Sequence, residues 1–374
     1  MPNLREIEYE IDRYCTEASN SSIDPRLSEL FFPVDERSIY WEWAEERRSS
    51  EPGKISETNE CRELTIWDLN EKKRSDKKPI DPEWTDRHYA IVDREESHLF
   101  TIVSESYLLV DNKMAYWIAL ALANYLFKKP DTNENFEFVP FKKWLRKDRA
   151  ACEISICRSI SYNQPNLIDG WCSGVTMLNS YNKSVALTYY VGFFNPRYRI
   201  SILLPRYSIS LKLKKDRNNS IPKQIATQLA GNAKTYKIQE MEKAFLEKLD
   251  NLKKTPMDEN MFLAFFCKFF HISKKSIERQ NEVDEARRKR TFINEKKELY
   301  VKKYGQNAYA FLLGISDYIS NYDDKRFNDR YLFYHIQAGE WADNYLEESS
   351  KPDFSLYKYI GEDAINTAAW LNLL

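Results

Sequence analysis

The spacing of apolar side chains changes character twice along this chain, and each change predicts a different kind of element. From about residue 86 the apolar runs are short, β-branched and aromatic. HYAIVD (88–93) and HLFTIVSESYLLVD (98–111) predict two strands joined by a charged turn. NKMAYWIALALANYLF (112–127) predicts a helix, with Asp111 or Asn112 as its cap. FEFVPF, ACEISICRSI, GVTMLNS and SVALTYYVGFF then predict further strands. After Pro222 the period becomes helical. Ile238, Met241, Phe245, Leu249 and Leu252 recur at spacings of three and four, the signature of an amphipathic helix. PMDENMFLAFFCKFFHI predicts a second helix with Asp258 at its start, and SIERQNEVDEARRKRTFINEKKELYVKKY a long charged one. NAYAFLLGISDYISNY and EDAINTAAWLNLL close the helical third of the chain.

The expected architecture is α+β: a central mixed or antiparallel sheet with one long helix, followed by a C-terminal helical unit. Residues 1–85 form an N-terminal arm, 86–221 a strand-rich α+β domain and 222–374 a helical domain. The arm is rich in Glu, Arg, Ser and Pro and predicts loops or short helices. Trp41 and Trp43 share one face if that segment is extended, and would anchor the arm to the body.

Bulk composition narrows the function classes. The chain has 374 residues, 43% hydrophobic and 30% charged, the balance of a globular protein. Lys plus Arg number 56 against 57 Asp plus Glu, so a basic surface has to be local. Only nine glycines are present, and none falls in G-x-x-x-x-G-K-[ST] or G-x-G-x-x-G, which argues against nucleotide-driven and dinucleotide-dependent chemistry. The first residues, MPNLREIEYEIDRY, are charged from the start, and the longest apolar window (114–127) is too short to span a bilayer. A cytoplasmic protein with no membrane partner is expected.

Catalytic and metal motifs are missing. The four histidines, at 88, 98, 271 and 335, stand in no H-E-x-x-H, and there is no G-x-S-x-G. Cys152 and Cys157 lie in one predicted strand five positions apart, so they would face opposite ways. No catalytic residue, metal ligand or cofactor is assigned. The carboxylates of NYDDKRFNDRY (Asp323, Asp324, Asp329) are interleaved with cations and read as a solvated interhelical loop.

One segment departs from this neutrality. RYRISILLPRYSISLKLKK (197–215) repeats Arg-Tyr-x-Ile-Ser-x-x-Leu on either side of Pro205, and residues 197–217 hold seven Lys or Arg against Asp216 alone. Strand geometry puts Tyr198, Ile200, Ile202 and Leu204 on one face, then Tyr207, Ile209, Leu211 and Leu213. The opposite face carries Arg197, Arg199, Arg206, Lys212 and Lys214 with serines between. Pro205 makes this either a hairpin or one bent strand at an edge. Cations about 7 Å apart on a strand suit a sugar–phosphate backbone. A solvated face whose charges deter edge pairing would carry the same pattern.

Several segments resemble, in order, the phage/plasmid-like family of unknown function numbered nine hundred and thirty-two. LFTIVSESYLLVDNKMAYWIALALANYLF is similar to its opening strand and helix, GVTMLNSYNKSVALTYYVGFF to its central strand pair, and NAYAFLLGISDYISN to its late helix. The resemblance spans about residues 90–374. Asn182 and Lys183 replace the family's Asp-Gly, and NPRYRISILLP replaces its Cys-x-Asn element. It carries over no catalytic residue and implies a mobile-element or host-defence context. The expected function is non-catalytic binding of single-stranded DNA or RNA through Arg197, Arg199, Arg206, Lys212 and Lys214. The alternative is a protein-binding module that inhibits or recruits a host defence complex.

Overall fold

The computed structural model describes residues 4–43, 62–67, 88–96, 98–127, 137–159, 170–184, 186–230, 238–322 and 331–374. The architecture is α+β, as its patterning requires. Its strands form two antiparallel sheets rather than one mixed sheet. The first has strand order β2-β1-β3-β4, from β1 (Val34–Trp43), β2 (Arg62–Trp67), β3 (His88–Asp93) and β4 (Leu99–Ser104). The second is a meander in chain order, β5 (Phe138–Leu145), β6 (Ala151–Arg158), β7 (Cys172–Ser180), β8 (Thr188–Asn195) and β9 (Ile200–Ser210). Each strand pairs antiparallel with the next, so sequence order becomes spatial order.

The N-terminal segment is more ordered than its composition predicts. Helix α1 (Leu4–Asn20) buries Ile7, Ile11, Tyr14 and Ala18, residues at spacings of four, three and four. It packs on α2 (Asn112–Leu126) and α3 (Ile221–Ala230). The loop or short helix expected over DERSIYWEW is β1, paired with β2 and β3. The side chains of Trp41 and Trp43 lie outside the described residues, as does the NEKKRSDKKPIDPEW segment.

Helix α2 starts where expected, with the Asp111 carboxylate accepting the Met114 N–H at 2.6 Å. It lies on the inner face of the five-stranded sheet, against β6 and β7. Helix α4 (Ile238–Lys254) covers the same face, stacking Phe245 on Phe193 with ring centres 3.7 Å apart. Then come α5 (Phe262–Phe269), α6 (Lys274–Gln280), α7 (Val283–Tyr304), α8 (Ala308–Asn321), α9 (Tyr331–Ser349), α10 (Leu356–Ile360) and α11 (Glu362–Leu373). The single long helix expected over 276–304 is two. Asn281 adopts the left-handed conformation (φ 54°) and ends α6, a role asparagine tolerates better than other side chains with a Cβ. One hydrophobic cluster runs from Ile7 on α1 to Leu371 on α11, so the sheet and the helical third share a core. Among the described residues no helix is long and apolar enough to cross a membrane.

The two sheets are clasped by Arg149, in the turn between β5 and β6. Its guanidinium meets the buried Asp93 carboxylate at 3.1 Å, reaches Glu95 and Glu96 in the β3–β4 turn, and lies 3.9 Å over the Phe32 ring. Removing it leaves a buried carboxylate with only the Glu95 and Glu96 N–H groups as donors. Arg149→Ala is expected to cost about 2 kcal/mol, read as a lower urea midpoint. An unchanged midpoint would mean the clasp contributes nothing.

Candidate nucleic-acid interface

The doubled segment is one strand, β9, at the edge of the five-stranded sheet. It bends because its register slips. Tyr190 pairs with Ser208 but Gly192 with Leu203, so β9 carries extra residues between Leu203 and Ser208. Proline at 205 has no N–H to give the ladder, and the slip falls there. The slip reverses parity as the repeat requires: Ile200, Ile202 and Leu204 enter the core before it, Tyr207, Ile209 and Leu211 after it.

The opposite face is not the continuous basic surface expected. Ser201 and Leu203 are buried beneath α9, whose Leu332 joins Leu203, Phe194, Cys157 and Cys172 in a second apolar cluster. Cys152 belongs to the main core and Cys157 to this outer cluster, so they do face opposite ways. His335, fully buried on α9, places Nδ1 3.1 Å from Ser201 Oγ and Nε2 3.3 Å from Ser320 Oγ. Burial and the Lys142 charge push its pKa down to about 3. It is a neutral tether between β9, α8 and α9.

The five expected cations therefore separate. Arg197 and Arg199 sit exposed in the turn before β9, with Arg199 in the left-handed conformation (φ 56°). The Asn195 side chain accepts the Tyr198 N–H in that turn, and Asn321 donates to the Tyr198 carbonyl. Lys212 and Lys214 are exposed beyond the strand's other end. On strand geometry the two pairs lie on the order of 30 Å apart. The backbone of Arg206 falls in the slipped region, and its side chain lies outside the described residues.

At the Lys212–Lys214 end the two sheets create a groove. Lys214 forms an antiparallel bridge with Tyr107, and the Lys215 N–H donates to the Ser106 carbonyl at 3.2 Å. This joins the β9–α3 connection to the end of β4. The resulting cavity of about 860 Å³ is lined by His88, Ser104, Ser106, Lys214, Arg217 and Ser220, among others. Not all of its charge is available. Lys215 is paired with Glu36 and lies over the Tyr89 ring, and Glu105 and Asp216 also line the groove. The Asn219 amide and the Asn218 N–H hold the Asp216 carboxyl below its usual range. The neighbouring Tyr107 ring has the Lys183 ammonium 5.7 Å from its centre.

The local charge pattern singles out Lys212 and Lys214 but not the groove that Lys214 lines. Ser104, Ser106 and His88 lie more than a hundred positions away, and no local pattern marks them as partners. Among the described residues no group of three or more His, Cys, Asp or Glu is gathered to hold a metal ion. The acidic run at 323–330 lies outside the described residues. No protein-family model matches the chain, and neither does a curated protein or a solved structure.

Proposed function

We propose that this protein binds single-stranded nucleic acid through its phosphates, in the groove between the end of β4 and the β9–α3 connection. The observation that carries this reading is the placement of Lys212, Lys214 and Arg217. In a chain with balanced charge, these exposed cations adjoin or line one open groove beside the hydroxyls of Ser104, Ser106 and Ser220. Backbone contacts of this kind are insensitive to base sequence and release counterions, so affinity falls with salt.

Binding of a fluorescent oligothymidine, followed by anisotropy across several salt concentrations, tests it. Each neutralised phosphate contributes a slope of about −0.7. Replacing Lys212, Lys214 and Arg217 together with Ser should flatten the slope by about two units. Thermal stability should stay within about 0.5 kcal/mol, because all three are exposed. The same change at Arg197 and Arg199 should leave the slope unaltered, since that turn lies at the far end of β9. Salt-independent or absent binding by the wild-type chain sinks the reading and favours the protein-binding alternative.

A further inference from the structure

Beyond Ser210 the chain stays extended without a neighbouring strand on its outer side. Main-chain groups of Leu211, Lys212, Lys214 and Lys215 are nevertheless hydrogen-bonded, on one edge or the other. On one edge the Leu211 N–H donates to the Leu187 carbonyl at 2.8 Å, and the Lys215 N–H to the Ser106 carbonyl. On the other edge the partners are side chains of one helix. Gln228 on α3 accepts the Lys212 N–H at 2.9 Å and donates back to the Lys212 carbonyl at 3.3 Å. Gln224, one turn earlier, accepts the Lys214 N–H and donates to the Lys214 carbonyl, both at 3.0 Å. Residues four apart share a helix face, and alternate residues of an extended chain share an edge. The two amides thus do what a neighbouring strand would do, for two successive outward-facing residues.

This arrangement is more than edge protection, because of what it holds. Leu211 and Leu213 pack against the core on one side of the segment, which turns Lys212 and Lys214 to the other. Their Cα atoms are then fixed about 7 Å apart, a spacing that suits successive phosphates of an extended single strand. Free lysines on a mobile loop would have to be ordered on binding, at a cost in backbone entropy. Here the helix has ordered them in advance.

We propose that Gln224 and Gln228 are positioning residues, which preset Lys212 and Lys214 to engage neighbouring phosphates of one strand. The inference rests on the binding reading above. The test is Gln224→Met with Gln228→Met, which keeps side-chain length and helix propensity but removes the four hydrogen bonds to Lys212 and Lys214, together with those from Gln224 to the Asn219 carbonyl and from Gln228 to the Gln224 carbonyl. Three quantities are measured on the full chain: amide hydrogen exchange at residues 211–215, the salt slope for oligothymidine, and the thermal midpoint. Exchange at Lys212 and Lys214 should rise at least about tenfold while the chain remains folded. The slope should flatten by about 0.7, one phosphate's worth. Changing Lys212 and Lys214 to Ser should then alter the slope less in this background than in wild type. Should the double variant fail to fold, Gln228→Met alone releases only Lys212 and should give faster exchange there alone. Faster exchange with unchanged affinity and slope overturns the positioning role while leaving the binding reading intact. A wild-type chain without salt-dependent binding overturns both.

Discussion

Gly174→Ala should be a severely damaging single-methyl change, costing about 3 kcal/mol or more. Gly174 sits in β7 opposite Gly192 in β8, in the middle of the five-stranded sheet. A Cβ built there would lie 2.1 Å from the Ile156 carbonyl oxygen, 2.8 Å from Cys157 Cα and 2.8 Å from a Phe194 ring carbon. Two of these atoms are main chain in the neighbouring strand β6, so relief requires moving a central ladder rather than turning a side chain. At Gly192 the nearest atom is the end of the Leu203 side chain, at 2.6 Å, with the Ile202 carbonyl next at 2.9 Å. Both overlaps are shallower than the 2.1 Å one at Gly174, so Gly192→Ala should cost less, about 1–2 kcal/mol. Gly361 has nothing within 4 Å, but its backbone (φ 92°, ψ 148°) disfavours any side chain, at about 1–3 kcal/mol. Urea midpoints and soluble yields of the three variants should therefore rank Gly174 below Gly192 and Gly361. A Gly174→Ala protein of near wild-type stability would falsify the β6–β7 pairing register.

Acid should destabilise this protein through His335 before it titrates most carboxylates. The ring is fully buried, and its pKa falls from an ordinary value of 6.5 to about 3, chiefly from burial and then from the Lys142 charge. A histidine held neutral in the folded state takes up its proton more readily once unfolded. Folding is therefore unaffected by this group above pH 6.5 and loses stability steadily as pH falls towards 3. At pH 5 the loss is about 2 kcal/mol, at 1.36 kcal/mol per unit. His335→Gln replaces the ring with a neutral amide that can still meet Ser201 and Ser320. Its stability at neutral pH should drop by about 1 kcal/mol. Its loss between pH 7 and 5 should be smaller than wild type by about 2 kcal/mol. Urea titrations at pH 7, 6 and 5 measure both quantities. Parallel pH profiles for the two proteins would show that His335 reaches solvent and titrates normally.

Several elements were legible in the sequence because they depend on neighbours a few residues away. The period of Met241, Phe245, Leu249 and Leu252 fixes the buried face of α4, and all four are fully buried. Asp111 caps α2 through a hydrogen bond spanning three residues. The repeat around Pro205 carries its own change of parity and a missing N–H, which narrowed the segment to a hairpin or one bent edge strand; the pairing with β8 makes it the bent strand. The charge excess of residues 197–217 was also local, and it led to Lys212 and Lys214.

What the sequence could not set was whether those charges shared a surface. A strand face is solvated only if nothing packs on it, and α9, more than a hundred residues later, buries Ser201 and Leu203. The break at Asn281 was equally hidden, because a helical charge pattern continues on both sides and only the backbone turns there. The groove exists because Ser106 and Tyr107 pair with Lys214 and Lys215, a contact that joins two sheets. The glutamines at 224 and 228 read as polar positions on an amphipathic helix until the strand they bond lies beside them. Local periodicity determined the elements and their buried faces. Long-range packing alone decided which polar faces remained open to a partner, because exposure belongs to the assembled surface and not to any one segment.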